Sequence, residues 1–534
     1  MAENGAPAEM TPFIYAAGIL AVVMMIWDTI EVGRNDAANI VNAVFGSRIL
    51  SRRRAVQVAA IGVVLGAGFS SAVMETARKG IFAPQHFTVQ QALAIYSSVY
   101  IVDTILLYAY SAFGMPVSTT LTLVFSLLGA ALFLGAAEVD NPSSAIQWAG
   151  AGTVLAGIIC SIALTGAMAF ILQRAARGAI RDKWSSLPAL LLHGGWVGGG
   201  LMAGLTYFML EKGMKGLAAV KHLKETISVV PYTGPILTVL VLWVFFAILI
   251  HLSLVVFRRK AAELLFPIMT VLGMLGMAFA FGQNDLANCA SPGLAVLAII
   301  RGHKQGHEMA DITETALPQV ALFAAGLILV MGMMTEHAQR VTRSEARTGS
   351  QGDHVKLWAP RWCISIASFM LSRRRGLPVA PSLAPAMTKN PKGRTMHYDP
   401  LRACVIVCVS ACVIATASAF ALPVSTTYVA FAAVVATGMA DRIFVRGDAA
   451  LKLGRSIWVV FSWFAAAVLA SLSAGLICLM VYYIGIAGMV MSVLANLALR
   501  AYVKRRSDVQ EERVKLEARE RMHPEEFALE DEAA

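Results

Sequence analysis

A polar heptapeptide, GRNDAAN at 33–39, returns as GQNDLAN at 282–288 with five of seven positions identical. Each copy lies at the end of an apolar run, where a carboxylate and two amides are out of keeping with their surroundings. A second pair, MPVSTT at 115–120 and LPVSTT at 422–427, follows in the same order and leads into further apolar sequence. Two motifs recurring in one order mark an internal duplication. From Asn35 to Pro116 is 81 residues and from Asn284 to Pro423 is 139, and the excess matches a polar stretch at 337–400. The second half is therefore read as the first half plus a loop.

The duplication sits in a membrane composition. Of 534 residues, 57% are hydrophobic and 14% charged, against roughly 45–50% and about 25% in a soluble domain. Runs such as 11–27, 146–172, 238–257 and 456–488 reach the ~20 apolar residues that a bilayer crossing needs. The fold class is an all-α polytopic membrane protein with about ten to twelve spans, some of them broken. A soluble enzyme is excluded, because 14% charge cannot cover a core of this size. The start, MAENGAPAEM, has no basic n-region, so the first run is read as a retained helix. The net charge of +11 resides largely in short loops, at Arg52–Arg54, Arg174–Lys183, Arg258–Lys260 and Arg373–Arg375. That placement fits an anionic lipid surface and not nucleic acid. Cys404, Cys408 and Cys412 share a helix face at i, i+4, i+8, but no histidine or second cysteine pair joins them, so they read as small packing residues. The expected organisation is a first repeat with connecting helices over 1–227, the start of the second over 228–336, the insert 337–400, the end of the second over 401–500 and a charged tail over 501–534. Within the insert, 362–372 reads as a surface helix.

The motifs carry the chemistry. A charge at the bilayer centre costs at least ~2.5–3.5 kcal/mol on insertion scales, so Asp36 and Asp285 must pair, bind a cation or carry a proton. With the amide oxygens of Asn39 and Asn288 they offer the oxygen ligands that hard cations prefer. A lone copy is equally well read as an interfacial helix cap; two copies favour a site. In each P-V-S-T-T the proline ends a helix, and three hydroxyls then stand at a fresh N-terminus: Ser118, Thr119 and Thr120, or Ser425, Thr426 and Thr427. Free backbone N–H groups and the positive dipole end make that an oxyanion site in outline. The alternative is a kinked helix whose hydroxyls satisfy freed carbonyls. Asn35, Asp36, Asn284 and Asp285 join the hydroxyls as expected anion contacts. Two aspartates and an anion cannot be buried together without positive charge between them, so the residues point to transport of an anion coupled to a cation. Polar interruptions repeated in two halves also mark transporter sites.

These residues resemble the PiT family of inorganic phosphate transporters, whose signature is a repeated G-x-N-D-x-A-N with P-V-S-T-T in each half. The resemblance covers roughly 10–335 and 400–490, and ETARKGI at 75–81 adds to it. It implies two inverted repeats with broken or re-entrant helices, a midplane site, and symport of inorganic phosphate with Na⁺ or H⁺, without an organic cofactor. Leu121 and Tyr428 stand where many members have histidine, Val63 and Val407 where many have glutamate, and Arg34 and Gln283 where a small or aromatic residue is usual.

Sulfate is the nearest rival substrate, since hydroxyls serve either tetrahedral oxyanion. Only a protonated phosphate donates to a carboxylate, which favours phosphate. A membrane-embedded phosphohydrolase or phosphotransferase would need a nucleophile with a base or a metal cluster, and neither motif supplies one; a non-transporting anion sensor also stays open. The expected setting is the plasma (inner) membrane, with the lipid bilayer as partner, no nucleic acid, and a homo-oligomer left open.

Overall fold

The computed structural model describes residues 11–70, 86–138, 146–210, 234–305, 318–372, 395–445 and 447–522, together with Ser144, His307, Thr388–Lys389 and Pro524. Among these residues the first half contains α1 (Pro12–Gly46), α2 (Arg52–Ala67), α3 (Val89–Ala112), α4 (Thr119–Glu138), α5 (Trp148–Ile180) and α6 (Leu187–Phe208). The long α7 (Gly234–Lys304) opens the second half, followed by α8 (Gln319–Met333), α9 (Glu336–Thr348), α10 (Arg361–Ser372), α11 (Pro400–Ala419), α12 (Thr426–Ala440), α13 (Ala449–Ile484) and α14 (Ile486–Arg521). Thr388 and Lys389 pair antiparallel with Met396 and Thr395. The segment ETARKGI lies outside the described residues.

Among the described residues, eight helices are long and apolar enough to cross a membrane, or nine if α8 and α9, bent by 69° at their junction, form one span. This is a multi-pass α-helical membrane protein. The count is below the ten to twelve expected for two local reasons. The 71-residue α7 counts once although Arg258 (φ 46°, ψ −116°) breaks it in two. The apolar α12, at 15 residues, is too short to span alone. Before that break, α7 turns Val241, Val244, Phe245, Ile248, Leu252 and Val256 outward, which suits a helix facing lipid.

The two motif helices pack by a matched set of close approaches. A Cβ on Gly33 would lie 2.0 Å from the Leu329 carbonyl oxygen, and one on Gly282 would lie 2.2 Å from that of Val63. In return, Gly332 meets the Ile30 carbonyl and Gly66 that of Phe279, at 2.1 and 2.0 Å. Thus α1 rides on α8 and α7 rides on α2, each motif helix seated against the other half of the chain. Small residues at such crossings let helix backbones touch where no hydrophobic force drives them together.

The polar insert is more ordered than its composition implies. α9 buries Ala338, Val341 and Ala346, and the stretch after it buries Val355 and Leu357. Its carbonyls are held by distant buried cations: Arg402 donates to Gly349 O at 2.6 Å, Lys452 to Ser350 O at 3.0 Å, and Arg455 to Trp358 O at 3.2 Å. α10 exposes Trp362, Ile366, Phe369 and Met370 while packing on α13, in keeping with a helix lying on the membrane surface.

Candidate functional site

Sequence alone suggested that GRNDAAN and GQNDLAN interrupt their helices. They do not: both lie inside continuous helix, in α1 and α7. The helix survives because neither heptapeptide contains proline and because the amides satisfy the carboxylate locally. Asn39 donates to Asp36 Oδ1 at 3.1 Å and Asn288 to Asp285 Oδ1 at 3.0 Å, both i, i+3 contacts on one face. The breaks fall at the prolines instead. Residues 113–118 and 420–425 leave the helix, and α4 and α12 start afresh at Thr119 and Thr426. Ser118 and Ser425 cap these starts, their oxygens accepting from Leu121 N at 3.0 Å and Tyr428 N at 3.1 Å.

All ten expected anion contacts and the four expected cation ligands are buried, and the fold brings them to one place. The asparagines bind within their own half. Asn35 Oδ1 accepts from Val117 N at 3.3 Å, and Asn284 Oδ1 from Val424 N at 3.2 Å. The aspartates and second asparagines reach across. Thr427 donates to Asp36 at 2.8 Å and Thr119 to Asp285 at 3.2 Å. Asn39 donates to Thr427 at 3.1 Å, and Asn288 to Thr120 at 2.8 Å. Two threonines close the ring through backbone: Thr120 donates to Val424 O at 2.9 Å, and the Thr427 hydroxyl, whose one hydrogen is shared with Asp36, lies 3.1 Å from Val117 O. The threonines of one half are therefore held by the aspartate and asparagine of the other.

One oxygen of each of the four expected cation ligands has no protein partner: Asp36 Oδ2, Asn39 Oδ1, Asp285 Oδ2 and Asn288 Oδ1. Two carboxylate and two amide oxygens left bare in a buried site are acceptors without donors, which is costly unless something positive or protonated meets them. This donor set suits an alkali cation or a proton. Among the described residues no cluster of His, Cys, Asp and Glu could hold a transition metal. The cysteines of α11 are free and packed, with Cys404 and Cys408 sulfurs 3.9 Å apart.

Several framing residues were not legible from the motifs. Ser111 accepts from Asn35 at 3.1 Å. The Tyr398 hydroxyl donates to Asn42 at 2.5 Å, tying the end of the first motif helix to the insert. The neighbouring Asp399 caps α11 and receives Arg177 at 2.5 Å. Burial pushes the Asp399 carboxyl up, but the Arg177 guanidinium, the Gln351 amide and the Arg402 N–H more than offset it and hold it below the usual carboxylate range. Arg34 does not touch Asp36. It pairs with Glu31 at 2.5 Å and lies over the Tyr108 ring, while Arg500 takes the other Glu31 oxygen at 2.7 Å. Tyr428 stacks on Trp463 with centroids 3.7 Å apart, and Trp463 donates to Pro116 O at 3.2 Å. Val63 and Val407 are buried packing residues, so the site has no carboxylate at either position.

Comparisons with known proteins agree with this geometry. A family model described as the phosphate transporter family matches residues 32–347 and 387–516. A protein of Thermococcus kodakarensis named as a candidate phosphate permease is 24% identical over 473 residues, covering 87% of this chain and 97% of its own. A similarly named protein of Pyrococcus abyssi is 23% identical over 490 residues, covering 89% and 100%. Among solved structures, one titled the sodium-dependent phosphate transporter superposes with a TM-score of 0.60 at 19% identity, covering 89% of this chain and 99% of that one; at that identity the likeness is one of fold.

Proposed function

The chain belongs to the phosphate transporter family, and from that membership we propose that it carries inorganic phosphate across a membrane in symport with cations held by Asp36, Asn39, Asp285 and Asn288. What supports the reading is the set of four bare, buried oxygens facing four threonines. The oxygens take the cations, and the cations screen the aspartates from the anion. The hydroxyls of Thr119, Thr120, Thr426 and Thr427 turn from their resting partners to the phosphate oxygens, beside the helix starts of α4 and α12. A protonated phosphate returns a hydrogen bond to an aspartate, and sulfate cannot. The solved relative is titled sodium-dependent, which favours Na⁺ over H⁺. The cross-half bonding supports the inverted-repeat reading, in which two related halves enclose one site and rock against each other.

The test is uptake of radiolabelled phosphate and sulfate into proteoliposomes, with Na⁺ and pH gradients imposed separately. The expected result is phosphate uptake driven by an inward Na⁺ gradient. Uptake indifferent to both gradients would overturn the coupling, and preferential sulfate uptake would overturn the choice of anion.

A further inference from the structure

α1 and α3 run side by side in one direction. Met24 packs against Tyr100 and Ile101, Arg500 bridges Glu31 and Thr104, and Arg34 lies over the Tyr108 ring. Between the first two of these contacts the register brings Asp28 level with Asp103. Both lie inside apolar spans, 1% and 2% exposed, and within electrostatic reach of each other. Asp28 stands about 12 Å along α1 from Asp36, so the pair is separate from the transport site. One buried oxygen of each, Asp28 Oδ1 and Asp103 Oδ1, has no partner among the described residues.

The neighbouring donors are already committed. Thr29 donates to Met25 O at 2.6 Å, Tyr100 to Cys289 O at 2.8 Å, and Thr122, beside Asp103, to Thr119 O at 3.0 Å. The Cys289 thiol turns to Asp285 O at 3.5 Å. The facing cation, Arg500, spends Nη1 on Glu31, Nε on Asn496 and Nη2 on Thr104 O, and Arg34 is held by the same Glu31. Three carboxylates thus meet two guanidinium groups. Two carboxylates sharing a buried site do not both stay ionised, and an unbalanced charge inside a bilayer is costly.

We infer that Asp28 and Asp103 share one proton, the carboxyl of one donating to the bare oxygen of the other across α1 and α3. That proton balances three carboxylates against two arginines. The donor set distinguishes this site from the cation ligands. Asp36 and Asp285 each have a bare amide oxygen beside them, on Asn39 and Asn288. Asn496, which reaches the same stretch of α3, has its oxygen taken by Arg500 at 2.8 Å. Two carboxylates satisfy a proton but fall short of the oxygen shell of a hard cation. The shared proton ties the helix carrying the first N-D motif to the helix leading into the first P-V-S-T-T turn. By the motif offsets, the second half has Met277 and Ser410 at the corresponding positions, so the pair belongs to the first half.

The test is infrared spectroscopy of the full chain in phosphatidylcholine nanodiscs at neutral pH, where an aspartate in water, with a pKa of ~3.9, is ionised. Asp36→Asn and Asp285→Asn are included, so that the transport site contributes no carboxyl and the readout needs no transport. The expected result is a protonated-carboxyl C=O absorption that loses the intensity of one carboxyl in Asp28→Asn and equally in Asp103→Asn, because either amide leaves two carboxylates to two arginines. The double variant should lose no more than either single one. Asp103→Asn carries the test if Asp28→Asn does not fold. An absorption untouched by these substitutions, or twice the loss in the double variant, would overturn the shared proton. Displacement of the absorption by Na⁺ would overturn it in favour of a metal cation.

Discussion

The two motif helices solve the same problem with the same residues and then part company at their edges. In each, an asparagine binds its own half's P-V-S-T-T backbone, and an aspartate reaches the other half's threonine. The rims differ. One turn before Asp36 lies an ionic frame of Glu31, Arg34 and Arg500, while the matching Gln283 uses its amide on the Phe69 carbonyl at 3.3 Å. After the turns stand Leu121 in one half and Tyr428, stacked on Trp463, in the other. The duplication is kept in the residues proposed to bind ligand and is lost where the helices are only supported. It also shows where the anion's balancing charge is not: the one arginine inside a motif is already committed to Glu31.

The largest expected effect tests the shared part. Asp36→Asn and Asp285→Asn should each reduce phosphate uptake to background while the protein still elutes as a folded species on gel filtration. Near-normal uptake in either variant would break the equivalence of the halves. Next come Thr427→Val and Thr119→Val, which remove the hydroxyl from each aspartate. A hydrogen bond to a charged group is worth ~1.5–3 kcal/mol, so each should lower kcat/KM for uptake roughly 10- to 100-fold. A tenfold disparity between the two would show that one half carries the load.

The packing is symmetric too. Gly33→Ala and Gly282→Ala place a methyl group about 2 Å from a backbone carbonyl oxygen, which cannot move aside as a side chain can. Each should destabilise by at least ~1–3 kcal/mol, read as a lower unfolding temperature in detergent. A substitution without effect at either position would mean that the crossing is looser there.

The same comparison explains what was legible in the sequence. Asp36, Asn39 and their partners stood out because a buried carboxylate is conspicuous and because it occurred twice. The fold class followed from the apolar blocks, whose exposed faces on α7 and α13 now read as lipid contacts. The cross-half pairing was hidden, since nothing in P-V-S-T-T says that Thr427 faces Asp36 and not Asp285. The insert was misread as loop because its polar composition reads as solvent-exposed, whereas Arg402, Lys452 and Arg455 supply its hydrogen bonds from far along the chain. The position of the helix breaks was half legible: proline marked one site correctly, and polarity marked the other wrongly.

Arg34 gives the smallest effect and the sharpest distinction. Its i−3 neighbour Glu31 lies on the same helix face, whereas Asp36 at i+2 does not, so the sequence already contained the signal for its true partner. Removing it by Arg34→Gln leaves Glu31 paired to Arg500 at 2.7 Å, so no buried carboxylate is stranded and the loss should stay well below the ~3–5 kcal/mol of breaking a buried pair outright. Uptake should keep its KM for phosphate within about twofold, because Arg34 is turned to Glu31 and does not touch the motif ligands. A tenfold rise in KM with unchanged stability would instead mean that Arg34 leaves Glu31 to meet the anion. The first half would then recruit substrate by a charge that Gln283 cannot supply in the second.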